Sequence, residues 1–145
     1  KEDQCYILEC NIDDMNPEIY SYIMERLFSK GALDVYKTSI HMKKDRVGII
    51  LSVLCNHENK EALKEIIFIE TTTLGIREYK VYRSKLKRDF SNINTAYGTV
   101  RVKNGYYNGR KIKWKAEYED CKRLAEENNI PLKNIYDEVL RNLKE

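Results

Sequence analysis

Apolar and polar positions alternate over residues 5–12, with Tyr6, Leu8 and Cys10 on one side, a pattern that predicts a strand. It stops at Asp13-Asp14-Met15-Asn16-Pro17, where Asn16 suits a helix cap and Pro17 a first helical position. Ile19, Ile23 and Leu27 then recur every four residues beside Tyr20, Met24 and Phe28, and Gly31 ends this predicted helix. Residues 33–42 predict a second strand that turns at Lys43-Lys44-Asp45-Arg46. The near-continuous apolar run of residues 47–55 fits a strand buried on both faces. A second helix is predicted over 57–70 through Leu63, Ile66 and Ile67. A fourth strand, rich in aromatic and β-branched residues, is predicted over 76–88.

The order βαββαβ is that of the ferredoxin-like split unit, so the expected class is α+β. Residues 1–90 are expected to form that ferredoxin-like domain. Residues 91–145 are expected to add a small hairpin, with turn signals at Asn104-Gly105 and Asn108-Gly109, and a two-helix appendage over 116–128 and 131–143. The second of these helices carries Ile135, Val139 and Leu143 at helical spacing. The first residue is Lys1, not an initiator methionine, which suggests a piece of a longer protein.

Composition narrows the class. A hydrophobic share of 42% with eleven tyrosines argues against disorder, and no apolar run is long enough for a membrane span. Cys5, Cys10, Cys55 and Cys121 form no C-x-x-C pair, and Cys5 and Cys55 fall in apolar runs. Buried, reduced thiols in the cytoplasm are the expectation, beside the sharper alternative that Cys10 or His41 captures nickel or copper. The net charge is +3, but residues 77–115 hold twelve Lys/Arg against Glu78 and Asp89, a local balance of +10. This fits a basic face for phosphates or an acidic partner, or strand edges kept soluble by lysine.

Three loops could do chemistry. In the first, Asp13 and Asp14 could hold magnesium or manganese, or one of them could simply cap the helix. In the second, Lys43, Lys44 and Arg46 crowd three cations into four residues, which suits an anion between them or a solvated turn. In the third, Thr71, Thr72 and Thr73 precede Leu74-Gly75-Ile76-Arg77; their hydroxyls and N–H groups could cradle phosphates with Arg77 as a fork donor, or form a polar helix end. The G-K-[ST] ending of a Walker loop is absent.

The joint occurrence of Asn-Ile-Asp-Asp-Met-Asn-Pro-Glu (11–18), Gly-Ala-Leu-Asp-Val (31–35), Met-Lys-Lys (42–44), Glu-Thr-Thr-Thr-Leu-Gly-Ile-Arg (70–77) and Tyr-Glu-Asp-Cys (118–121) resembles the C-terminal domain of LarC-type proteins. The resemblance runs over nearly the whole chain, departing at Val47 and Ala116, where proline is common in that family. It implies a CTP-dependent nickel insertase, a chelatase of the lyase class. Such a protein loads nickel into pyridinium-3,5-bisthiocarboxylic acid mononucleotide to make the nickel-pincer cofactor of lactate racemase, and cleaves CTP to CMP and pyrophosphate. This fragment would be its CTP-binding part, incomplete without an N-terminal domain that handles nickel.

On that resemblance the metal site is Asp13 and Asp14, and the nucleotide site is Lys43, Lys44, Arg46, Thr71, Thr72, Thr73 and Arg77. Glu119 and Asp120 are further candidates. The implied cofactors are CTP and magnesium or manganese, with nickel as substrate of the full-length protein. The implied partners are CTP, the pyridinium mononucleotide, the N-terminal domain and further copies of the chain, with no membrane. The rival reading is a non-enzymatic ferredoxin-like module for oligomerisation or RNA binding. An RRM-type stacking motif is absent, which counts against RNA.

Overall fold

The computed structural model describes residues 3–143, in two compact units that divide between residues 84 and 85. The first unit runs β1 (Asp3–Ile12), α1 (Ile19–Ser29), β2 (Asp34–His41), β3 (Val47–Cys55), α2 (Lys60–Glu70) and β4 (Arg77–Arg83). Its sheet is antiparallel throughout, in the order β2-β3-β1-β4. This is the ferredoxin-like arrangement that the element order predicts.

The period-2 pattern does its work in β1 and β3, where Leu8 lies opposite Val53 and Cys10 opposite Leu51, all buried. Ile23 and Leu27 of α1 and Leu63, Ile66 and Ile67 of α2 cover that face as one core. The opposite face of β3 is covered only in part, because Ile50 and Leu54 remain half-buried while Ser52 is enclosed. Asn16 caps the turn that leads into α1 and not the helix itself: its Oδ1 accepts the Glu18 N–H at 3.0 Å and its carbonyl the Ile19 N–H at 3.1 Å, but α1 starts two residues later than Pro17 predicts, with Glu18 at its N-cap.

The second unit runs β5 (Lys87–Thr95), β6 (Gly98–Tyr107), β7 (Arg110–Ala116), α3 (Tyr118–Asn128) and α4 (Leu132–Leu143). Its sheet has the order β5-β6-β7. Val100, Val102 and Ala116 pack with Cys121, Leu124, Ile135 and Val139 as a separate core.

Three expectations need correction. The strand predicted over 76–88 is two strands: β4 pairs with β1 as far as Arg83 opposite Asp3, and from Lys87 the chain pairs with β6. No Gly or Pro stands at 84–86 to punctuate the run. The appended hairpin is therefore a three-stranded meander. Asn104-Gly105 is no turn but lies within β6, where the buried Asn104 amide donates to Asp89 Oδ1 at 3.0 Å and Ser91 Oγ at 3.1 Å. The turn is Asn108-Gly109, at φ 49° and 77°, the left-handed pair that a two-residue hairpin requires.

Candidate functional site

Strand register places the three loops at one end of the first unit's sheet. Ile12 lies opposite Ile49, His41 opposite Val47, and Glu9 opposite Arg77, so the ends of β1 and β2 and the starts of β3 and β4 share that end. Gly48 is where two of the loops meet. A Cβ there would stand 2.7 Å from the Ile12 carbonyl, 2.7 Å from Met42 Sδ and 3.2 Å from Asp13 Cβ. Glycine inside a strand marks such a close approach.

The acidic loop is held by both of its neighbours. Arg46 Nη1 lies 3.4 Å from Asp13 Oδ2, and Thr72 Oγ1 donates to Asp14 Oδ1 at 2.5 Å. The basic turn is closed by the Met42 N–H on the Arg46 carbonyl at 2.7 Å. Within it, Lys44 and Asp45 adopt φ 60° and 56°, an uncommon conformation for side chains of their kind. Lys43 and Lys44 are exposed and make no ion pair among the described residues.

In the threonine loop the hydroxyls are already engaged. Thr71 Oγ1 donates to the Ile67 carbonyl at 2.6 Å, and Thr73 Oγ1 to the Gly75 carbonyl at 2.9 Å. The Thr73 N–H donates to Thr71 Oγ1 at 3.2 Å. These bonds end α2 and shape the loop. Thr72 alone reaches across to another loop.

Arg77 lies on the sheet face away from the helices, with Glu9 and Asn11, which are out of phase with the buried Leu8 and Cys10. Its Nε donates to Glu9 Oε1 at 3.0 Å and its Nη2 to Asn11 Oδ1 at 2.7 Å. Tyr79 OH donates to the second Glu9 oxygen at 3.3 Å. Burial, then the Glu9 charge, pushes the Tyr79 phenol up and keeps it a donor at neutral pH.

Glu9, Asn11, Tyr79 and Gly48 were absent from the sequence-level site. The period-2 pattern and the glycine within the apolar run 47–55 were the available signals, but the pairing of β1 with β4 was needed to bring Glu9, Asn11 and Tyr79 to Arg77. Glu119 and Asp120 lie on α3 of the second unit. There Asp120 takes the Arg101 guanidinium in two 3.0 Å contacts, which hold its carboxyl below the usual range.

The donor set fits a hard cation. Magnesium asks for one or two carboxylates and keeps water and phosphate oxygens for the rest, and Asp13 and Asp14 would be that pair. A cage built from side chains alone, hard or soft, is not present: no group of three or more His, Cys, Asp or Glu converges among the described residues. Burial pushes the Cys10 thiol up, against a Thr73 hydrogen bond and the Arg77 charge, so the sulfur stays protonated and inert.

Comparison with known proteins gives this arrangement a family. The chain is 52% identical over 141 residues to the pyridinium-3,5-bisthiocarboxylic acid mononucleotide nickel insertion protein of Clostridium kluyveri, covering 97% of this chain and 35% of that protein. It is 49% identical over 138 residues to the same-named protein of Acetivibrio thermocellus, covering 95% and 34%. The chain thus spans about a third of the length of these curated relatives.

Among solved structures it superposes with a TM-score of 0.94, at 37% identity and full coverage of both chains, on the apo form of LarC2. That chain is described as the C-terminal domain of a cyclometallase in synthesis of the NPN cofactor of lactate racemase. A Methanopyrus kandleri protein shares the fold with a TM-score of 0.67 at 23% identity, over 92% of this chain and 85% of that one. The nickel insertion protein model matches residues 1–136, the acidic loop, basic turn and threonine loop included, and the chain belongs to that family.

Proposed function

We propose that the first unit binds CTP with magnesium or manganese, and that the chain is the nucleotide-binding domain of a nickel insertion protein. The full protein would be a CTP-dependent chelatase of the lyase class, with pyridinium-3,5-bisthiocarboxylic acid mononucleotide and nickel as its substrates. The observation that carries this reading is that Asp13 meets Arg46 and Asp14 meets Thr72 from separate loops at one sheet end, with Arg77 paired to Glu9 and Asn11 on the open face at that same end. Asp13 and Asp14 hold the divalent metal, which when bound screens the charge of the phosphate oxygens.

Arg46 and Arg77 are 64% and 54% exposed, and their present pairs are exposed salt bridges of little net worth. Each can therefore exchange its carboxylate for a phosphate oxygen at small cost, and until then the pairing keeps like charges apart. Lys43 and Lys44 bring unpaired positive charge to the same end. Thr71, Thr72 and Thr73 add hydroxyl oxygens and backbone N–H groups. Triphosphate chemistry depends mostly on such positioning and charge stabilisation.

Calorimetry of the chain with CTP, ATP, GTP and UTP, each with magnesium or manganese, tests the reading. Preferred binding of CTP is expected; equal or absent binding of all four overturns the cytidine assignment. With few soft ligands, the domain alone should bind nickel weakly and yield no metallated mononucleotide by mass spectrometry, whereas adding the N-terminal part should restore it. Four free, buried thiols suit a reducing compartment, which supports a cytoplasmic location. Self-association is also expected, through sheet edges and exposed tyrosines such as Tyr107; a monomer by light scattering at high micromolar concentration refutes it.

A further inference from the structure

On β6 and β7 the core-facing side of the second unit continues beyond its cover. Val102 and Ala116 are opposite each other and buried; the next pair on that side, Asn104 and Trp114, lies past them, and Trp114 is 43% exposed. Leu86, Ile112 and Trp114 supply the apolar lining of a cavity of about 700 Å³. Ile112 is there because of a bulge: Gly105 pairs with Lys113 but Tyr106 pairs with Lys111, leaving one extra residue between. Bulges re-aim side chains in this way and are common beside binding sites.

The rest of the lining is basic. Lys85, Arg88, Lys103, Lys113 and Lys115 surround the apolar floor, and no carboxylate lines the cavity. Lys103 has Glu117 at 3.6 Å, whereas Arg88, Lys113 and Lys115 make no ion pair among the described residues. Asn104, also in the wall, is 3% exposed; its Nδ2 donates twice, yet its Oδ1 accepts no hydrogen bond.

We propose that this cavity binds an aromatic, multiply anionic mononucleotide, with its ring against Trp114 and its anionic groups among the lysines. The volume falls in the range of small-molecule sites, roughly 300–1,000 Å³. An indole and two aliphatic side chains in one lining select a flat ring, and a pyridinium ring gains cation–π attraction over the indole face. The unbalanced cations select carboxylate-type and phosphate groups. A metal–triphosphate complex is the poorer fit, because no carboxylate is present to hold the metal. The inference rests on the nickel-insertion reading above, whose relatives are named for such a pyridinium mononucleotide. It gives that substrate a site in the second unit, separate from the three loops of the first.

Trp114 is the chain's single tryptophan, so its fluorescence reports on the cavity directly. The 145-residue chain is titrated, without metal, with nicotinic acid mononucleotide, which carries a pyridinium ring, a carboxylate and a phosphate. Saturable quenching is expected, weakened about tenfold or more by the double substitution Lys113→Ala/Lys115→Ala and unchanged by Lys133→Ala on α4. Ribose 5-phosphate, which has the phosphate but no ring, should neither quench nor compete at the same concentrations. Absent quenching, or equal competition by ribose 5-phosphate, overturns the proposal. Calorimetry with CTP and magnesium on the same sample separates the two readings. Loss of CTP binding with quenching retained defeats the CTP assignment alone, and CTP binding without quenching defeats this one.

Discussion

The two units present charge in opposite ways. In the first, Asp13 is paired with Arg46, Asp14 with Thr72, and Arg77 with Glu9 and Asn11, so the polar groups hold one another in place before a ligand arrives. In the second, Arg88, Lys113 and Lys115 make no ion pair among the described residues and stand around an apolar floor. A mutually satisfied network specifies geometry, and its cations must change partners to bind. An uncompensated field attracts anions from a distance and leaves discrimination to shape and stacking. If both proposed sites hold, the two kinds of surface would suit two different anionic ligands.

The largest expected effects test whether the units are independent. Ile23 and Ile135 are each fully buried in their own core, and truncating either to alanine should cost its unit about 2–5 kcal/mol. In denaturant, Ile135→Ala should shift the Trp114 fluorescence transition to lower concentration while Ile23→Ala leaves it in place. A shift from both would show one cooperative block.

Next in size is the loss of a specific contact. Arg77→Ala and Lys43→Ala should each weaken triphosphate binding by about 1.5–3 kcal/mol in calorimetry, while Lys87→Ala barely changes it. Equal effects from all three would make the first unit's site a diffuse field as well. Smaller again is Lys44→Gly. Removing a side chain from φ 60° should raise the unfolding free energy by up to ~1 kcal/mol while weakening triphosphate binding, a trade of stability for function.

The smallest effect is on pH. Arg101 lowers the Asp120 pKa, so the stability it adds is present above the ordinary aspartate range and lost as pH falls through the depressed value. Thermal melts of Asp120→Asn should therefore differ from the unsubstituted chain at neutral pH and converge with it in strong acid.

Much of the first unit was legible because its code is local. The i, i+4 spacing of Ile19, Ile23 and Leu27 and the alternation in β1 report burial on one side, and burial drives those elements together. The loops of the candidate site, with Asp13, Lys43, Thr72 and Arg77 on them, were legible, but the partners of those residues were not. Glu9 and Asn11 lie 68 and 66 residues from Arg77, and only strand register brings them to it. In the second unit the Asn104-Gly105 signal misled because the Nδ2 donors of a buried asparagine can be taken up by Asp89 and Ser91 within a sheet, with no turn needed. The Trp114 cavity was not foreseen, since it arises from a one-residue surplus between paired strands that no periodicity reports.

Gly48 sets how the acid–base pair above it can evolve. With backbone and sulfur already 2.7 Å from where a Cβ would stand, position 48 cannot tune the spacing between Asp13 and the Lys43–Asp45 turn by gradations of size. That spacing behaves as a fixed gauge. Adaptation to a ligand of different charge is left to the side chains at 13, 43, 44 and 46, whose identity can vary while the gap between their backbones does not.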